Sequence, residues 1–293
     1  MPKPLESYIT NLPLKASELL DFLEEMRKIF IKEPNLIKIQ RGPCIFIGDT
    51  HGDLDASLEI IEKFLFKEDY TLVFLGDYVD RGVQQLENVL FLFLLKKDYP
   101  QKIILLRGNH EEEAMNISYG FRNILSQTFG KDSKRIFEQF QRTFAQLPLC
   151  ILTWNHIFGV HGGIPIDPKT RNPIILKEIE QLSRGITHIE QLDFITAQLL
   201  WNDPKNELTG AEPSARGIGF YFGKEIFEDF ITINNIQLVI RSHEVFQSGY
   251  KYFFDQKLIS IFSALNYGFL QSIEAKIVKL DADGTIQLMK ITE

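Results

Sequence analysis

Short apolar runs of branched and aromatic residues recur along this chain, and each is cut off by polar residues set among glycines. Ile45-Phe46-Ile47 leads into Gly48-Asp49-Thr50-His51-Gly52-Asp53, and Leu72-Val73-Phe74-Leu75 leads into Gly76-Asp77-Tyr78-Val79-Asp80-Arg81-Gly82. Ile103-Ile104-Leu105-Leu106 leads into Arg107-Gly108-Asn109-His110-Glu111, Ile157-Phe158-Gly159-Val160 into His161-Gly162-Gly163, and Leu238-Val239-Ile240 into Arg241-Ser242-His243-Glu244. Such runs predict buried strands, and the glycines let the backbone turn sharply beyond them. Loops past strand ends are where ligands collect in sheets of this kind.

Between the runs the spacing turns helical. Residues 14–33 predict an amphipathic helix, with Leu19, Leu20, Phe22, Leu23, Met26 and Phe30 in register before Pro34 stops it. Strands over 44–48, 71–76 and 102–106 alternate with helices over 55–66 and 84–97, an order that implies parallel strands joined by right-handed crossovers. A helical stretch follows over 114–146. Strands at 149–153 and 156–160, separated by Trp154-Asn155, suit a hairpin. Irregular chain and short helices fill 165–200, and a helix over 224–234 precedes a strand over 237–241. The final stretch alternates like an antiparallel meander, with Asp283-Gly284 as its turn. The expected fold class is α/β with α+β elements. Two facing mixed sheets, parallel in the first half and antiparallel towards the end, form a central β-sandwich flanked by helices. No Gly/Ser/Pro-rich linker or repeat interrupts the motifs, so a single domain is expected. Residues 1–39 form its N-terminal helical segment, packed on a catalytic core of 40–293.

Charge and composition narrow the function. A net charge of −7 argues against a nucleic-acid partner, although bound cations would still admit an anionic substrate. Val89-Leu90-Phe91-Leu92-Phe93-Leu94-Leu95 is too short to cross a bilayer, and Met1-Pro2-Lys3-Pro4 lacks the apolar core of a signal peptide. Cys44 and Cys150 each adjoin an apolar run and read as buried free thiols. A soluble, cytoplasmic protein with no membrane partner is expected.

The histidines carry the chemistry. Of six in the chain, four (His51, His110, His161, His243) stand in the glycine-bounded loops, whereas His156 and His188 do not and read as ordinary residues. With Asp49, Asp77 and Asn109 they make a mixed oxygen and imidazole donor set that suits Mn²⁺, Fe or Zn²⁺. The donors are too many for one four-coordinate ion with an open position. They fit two ions sharing a carboxylate, an arrangement used on phosphate esters. Arg81 adds a planar fork for phosphate oxygens. Arg107 reads as a structural ion-pair residue, and Arg241 fits either role.

These motifs together resemble those of the phosphoprotein phosphatases, the metal-dependent serine/threonine phosphatases that include types one, two A and calcineurin. GDxHG, GDxVDRG and GNHE stand intact at Gly48–Gly52, Gly76–Gly82 and Gly108–Glu111. Downstream, His161-Gly162-Gly163, Leu200-Trp201-Asn202-Asp203-Pro204, Ala215-Arg216-Gly217, Arg241-Ser242-His243 and Ser263-Ala264-Leu265-Asn266-Tyr267 match as well. The resemblance implies two divalent metal ions, with Asp49 and His51 on the first, Asp77 bridging, and Asn109, His161 and His243 on the second. It further implies that Arg81 and Arg216 clamp the phosphate, that Tyr267 lines the substrate cleft, and that His110, oriented by Asp80, is the general acid. The implied reaction is hydrolysis of phosphoserine and phosphothreonine in phosphoprotein substrates, by direct attack of a hydroxide shared between the ions. Leu265 and Gly268-Phe269-Leu270 depart from the family pattern, so inhibitor sensitivity is not carried over, and a regulatory subunit is left open. Two rivals remain: a nucleotide-directed relative, such as a diadenosine tetraphosphate hydrolase or phosphodiesterase, and a metal-bound scaffold without activity.

Overall fold

The computed structural model describes residues 4–68, 70–167, 169–170, 172–267 and 273–291. The N-terminal part runs α1 (Leu5–Thr10), α2 (Ala16–Ile31), β1 (Leu36–Ile39), β2 (Cys44–Ile47), α3 (Leu54–Ile60), which continues as a π-helix over Ile61–Lys67, then β3 (Thr71–Phe74), α4 (Gln85–Asp98) and β4 (Ile103–Leu105). Next come α5 (Glu113–Tyr119), α6 (Phe121–Phe129), α7 (Ser133–Phe144), β5 (Cys150–Thr153) and β6 (Ile157–Val160). The remainder is α8 (Leu176–Glu180), α9 (Phe194–Trp201), β7 (Asp203–Pro204), β8 (Ala211–Pro213), β9 (Phe220–Phe222), α10 (Lys224–Ile233), β10 (Leu238–Arg241), β11 (Tyr250–Phe253), β12 (Leu258–Ile261), β13 (Lys276–Leu280) and β14 (Ile286–Lys290).

Two mixed sheets face each other, in the orders β1-β5-β6-β10-β12-β11 and β14-β13-β2-β3-β4. Side-chain alternation explains why the strand runs are apolar throughout. Cys44, Phe46, Val73, Leu75, Ile104 and Leu106 point into the seam, where they meet Ile151, Ile157, Ile240 and Ile259 of the other sheet. Their neighbours Ile45, Ile47, Leu72, Phe74, Ile103 and Leu105 point outwards and are covered by α1 to α4, α6 and α7. On the other outer face, Phe158, Val160 and Val239 lie under residues of α8, α9 and α10. Strands covered on both faces have no polar side to show.

The crossovers β2-β3-β4 pair in parallel and β5 pairs antiparallel with β6, as the spacing predicts. Three features differ from the sequence reading. Residues before position 40, expected to be helical, include β1, which pairs in parallel with β5. The end of the chain is two hairpins in different sheets: β12 runs parallel to β10 and antiparallel to β11, whereas β13 crosses to pair with β2. The helical stretch after β4 is three helices, because Gly120 takes φ 121°, a conformation that L side chains rarely adopt, and a 3₁₀ turn at Gly130–Asp132 makes the second break. A small third sheet, β7-β9-β8, has no counterpart among the expected elements.

Candidate active site

Every donor predicted for metal stands just past the C-terminal end of a strand: Asp49 and His51 after β2, Asp77 after β3, Asn109 after β4, His161 after β6 and His243 after β10. The two sheets meet here. Asp49 bridges to Phe262, Gly48 N–H donates to Ser263 Oγ at 2.8 Å, and Asp49 N–H donates to Ser242 Oγ at 2.8 Å. Aiming the side chains inwards puts His51, Asp77, Asp80, Arg81 and His243 at φ 44°, 58°, 66°, 73° and 71°. Such conformations cost about 1–3 kcal/mol each and persist where surrounding contacts enforce them. The Glu111 carboxylate does so by accepting from Asp77 N (2.7 Å), Tyr78 N (2.9 Å) and Gly108 N (2.9 Å). A Cβ on Gly108 would collide with Asp77 Oδ1 and lie 2.5 Å from Asp77 N, so this crossing needs glycine.

The ring tautomers are set from behind. His51 Nδ1–H donates to Val79 O (2.8 Å) and His161 Nδ1–H to Leu75 O (3.1 Å), so each presents an Nε2 lone pair to the centre. His51 Nε2 lies 3.5 Å from Asp77 Oδ2 and 3.8 Å from Asp49 Oδ2. His161 Nε2 lies 3.5 Å from Asp77 Oδ1 and 3.2 Å from His243 Nδ1. The Asp77 carboxylate therefore faces both groups of donors, one oxygen to each. Asn109 Oδ1 stands 2.8 Å from both His161 Nε2 and His243 Nδ1. The His161 contact sets acceptor against acceptor, which is repulsive unless a cation is shared. Adjacent donors each about 2.1 Å from one ion are about 3 Å apart, so the spacing suits such an ion. Ser242 Oγ donates to Asp49 Oδ1, the residue's other oxygen being the one near His51.

Charge balance points the same way. Burial holds His51 and His110 down at about 3 and His161 and His243 well below the usual imidazole range, so all four are neutral at ordinary pH. Burial pushes Asp49 up to about 6 and Asp77 well above its ordinary value, where the charges of Asp49 and Glu111 add to the effect. Neutral rings around carboxylates that resist ionising suit compensation by divalent cations.

Around this centre lies a cleft of about 330 Å³ lined by Arg81, His110, Arg216, Tyr267, Glu244 and Val245 besides the metal donors Asp49, His51, Asp77, Asn109 and His243. Asp80 sits behind the cleft, its Oδ2 accepting from His110 Nδ1 at 2.8 Å. The Arg81 guanidinium lies 3.8 Å over the Tyr119 ring, and Arg216 Nε donates to Asp203 Oδ2 at 2.8 Å. Tyr267 packs on His51 and Phe262, with ring centroids 5.2 and 4.9 Å apart. Gly268-Phe269-Leu270 lie outside the described residues. Arg241 is fully buried against Asp203 and Glu244, and Arg107 binds the backbone carbonyls of Glu111 and Ile186. His188 is exposed and paired with Glu113, and Cys44 and Cys150 are buried free thiols. Sequence reasoning missed Asn116, Tyr119, Gln141 and the role of Asp203. The first three fall in a stretch read only for its helical spacing, where a buried polar residue among apolar ones was the one available signal.

Residues 42–247 match the calcineurin-like phosphoesterase family. The chain is 36% identical to the serine/threonine-protein phosphatase PP1-delta of Caenorhabditis elegans over 82% of its own length and 76% of the relative's. It superposes with TM-score 0.83 and 29% identity on a Saccharomyces cerevisiae protein serine/threonine phosphatase with similarity to human phosphatase PP5, covering 95% of this chain and 91% of that one. A cold-active protein tyrosine phosphatase shares the fold at TM-score 0.63 and 17% identity, covering 89% of this chain and 82% of that one. The chain belongs to the calcineurin-like phosphoesterase family.

Proposed function

We propose that this protein is a serine/threonine protein phosphatase that hydrolyses phosphoserine and phosphothreonine monoesters. One observation carries the reading: two donor groups share the Asp77 carboxylate at the floor of a cleft flanked by Arg81, Arg216 and the His110–Asp80 pair. Asp49, His51 and Asp77 would hold one divalent ion, and Asp77, Asn109, His161 and His243 the other. Mn²⁺, Fe and Zn²⁺ all suit this oxygen and nitrogen set. Bound there, the ions supply Lewis acidity towards phosphate and water acidic enough to attack at neutral pH.

The side chains do the rest. Arg81 and Arg216 grip the equatorial oxygens and offset the charge that builds on them. His110 presents Nε2 to the leaving oxygen while Asp80 holds its Nδ1–H. Burial and the two arginines disfavour the imidazolium, so the incoming dianion, opposite in charge to the arginines, is what favours its protonation. Tyr267 closes one wall. The whole chain acts as one catalytic unit, with the segment before residue 40 packed on it. Its two buried free thiols suit a reducing compartment such as the cytoplasm. Among the described residues no helix is long and apolar enough to cross a membrane.

The test compares turnover of a phosphoserine peptide with that of diadenosine tetraphosphate, using enzyme loaded in turn with Mn²⁺, Fe²⁺ and Zn²⁺. Preference for the peptide is expected. Preference for the dinucleotide would transfer the assignment to the nucleotide-directed reading, and turnover of neither would leave a scaffold.

A further inference from the structure

Behind the His110–Asp80 pair lies a polar residue with no part in the chemistry above. Asn116, on α5, is fully buried, and each of its amide groups is committed. Nδ2 donates to Asp80 Oδ2 at 2.9 Å and also to the His110 carbonyl at 2.7 Å, so a single NH₂ group spans both members of the pair. Oδ1 accepts from Gln141 Nε2 of α7 at 2.7 Å. An amide turned the other way would set its oxygen against the Asp80 carboxylate and the His110 carbonyl. The Asp80 carboxylate and the His110 carbonyl, acceptors only, therefore fix the amide in its donating orientation, and Gln141 satisfies the oxygen left on the other side. Phe121 N–H donates to Asp80 Oδ1 at 2.9 Å, so both carboxylate oxygens are held, Oδ2 by Asn116.

We propose that Asn116 is a positioning residue for proton delivery by His110, and that Gln141 braces it by donating to its amide oxygen. This inference rests on His110 acting as the acid. Removing the clamp leaves Asp80 held at Oδ1 alone and the His110 carbonyl without its donor, so the pair is less closely aligned, and a proton transfer that needs hydrogen-bond reach of the leaving oxygen suffers most. The effect is therefore selective: an alkoxide must be protonated as it leaves, whereas a nitrophenolate leaves without a proton.

The experiment measures kcat and KM of the metal-loaded enzyme on a phosphoserine peptide, glycerol 2-phosphate and p-nitrophenyl phosphate, with metal content and melting temperature recorded for each variant. For Asn116→Leu, kcat on both alkyl esters is expected to fall about ten- to a hundredfold, and on the aryl ester by less than about threefold, with KM little changed. Gln141→Met does not touch the pair and is the safer variant for folding. It is expected to show the same selectivity at about three- to tenfold. Equal losses on alkyl and aryl esters in Gln141→Met would reduce both residues to structural support and overturn the proposal. Wild-type turnover of glycerol 2-phosphate without the peptide would sink the protein-substrate reading alone. Failure on both alkyl esters would remove the acid and this inference with it.

Discussion

Two arginines reach the cleft, and they are braced by unlike supports. Arg216 leans on the buried Asp203 carboxylate, which Arg241 also engages, so its guanidinium is held by charge. Among the described residues Arg81 has no such carboxylate beside it. Its guanidinium rests over the Tyr119 ring, and the Arg81 backbone N–H donates to the Tyr119 carbonyl at 3.3 Å. A cation over an aromatic face is worth about 0.5–2 kcal/mol. Tyr119→Ala is therefore expected to raise KM for a phosphopeptide about three- to tenfold with kcat changed little, as steady-state kinetics would show. His110 is a sharper case, because its ring nitrogen lies close enough to His51 and Asp77 to share an ion with them. As an acid, His110→Asn costs kcat on an alkyl phosphoester about 10²–10⁴-fold while metal analysis still finds two ions. Retention of one ion only would make it a ligand. The metal donors were legible because each lies in a contiguous motif at a strand end. Asn116 and Gln141 were not, because what identifies them is a hydrogen bond across two helices between residues 25 positions apart.

At the scale of elements, the break between α5 and α6 matters most. The turn at Gly120 brings the Tyr119 carbonyl to Arg81 and the Phe121 N–H to Asp80, so one glycine orders both sides of the DRG motif. An added Cβ would have room, its nearest neighbour being Gln85 Nε2 at 3.5 Å, so Gly120→Ala pays only for the backbone conformation. Urea melts should show a loss of about 1–3 kcal/mol, and kcat should fall with it as the Phe121 anchor shifts. An unchanged melt with unchanged kcat would mean that the turn is not under this constraint. The spacing of Phe121, Leu125, Ile136 and Phe140 concealed the second break, at Gly130–Asp132, since apolar periodicity survives a kink when both helices face one core. Strand runs showed their own existence and order but not their sheet, because a strand buried on both faces carries no alternation. β1 was missed because Lys38 interrupts a four-residue run, and β7 because a two-residue strand has no period to read.

For the whole molecule, the centre lies where the two sheets join, so its charge state bears on global stability. Asp77, Asp49 and Glu111 are raised by burial, Asp49 to about 6 and Glu111 to about 7, so the folded chain binds protons there that the unfolded chain has released. These carboxylates should thus cost chelated protein stability as pH rises through about 6 to about 7, where Asp49 and Glu111 are forced to ionise inside, and the loss should level off above that. Below about 6.5 the sign reverses, because the four buried histidines resist the protons that the unfolded chain accepts. A saturating divalent ion binds only the folded form and adds about 4 kcal/mol at a thousand times its Kd. That gain should shrink as pH falls from about 8 to about 6.5, since ions and protons compete for the same carboxylates. Asp77→Asn separates the two effects in calorimetric melts at about pH 8. It should raise the melting temperature of chelated protein by deleting a buried like charge, and it should abolish most of the increment from added Mn²⁺. If the variant instead keeps the full increment, the carboxylate facing both donor groups does not bridge them, and the paired-ion reading of the cleft fails with it.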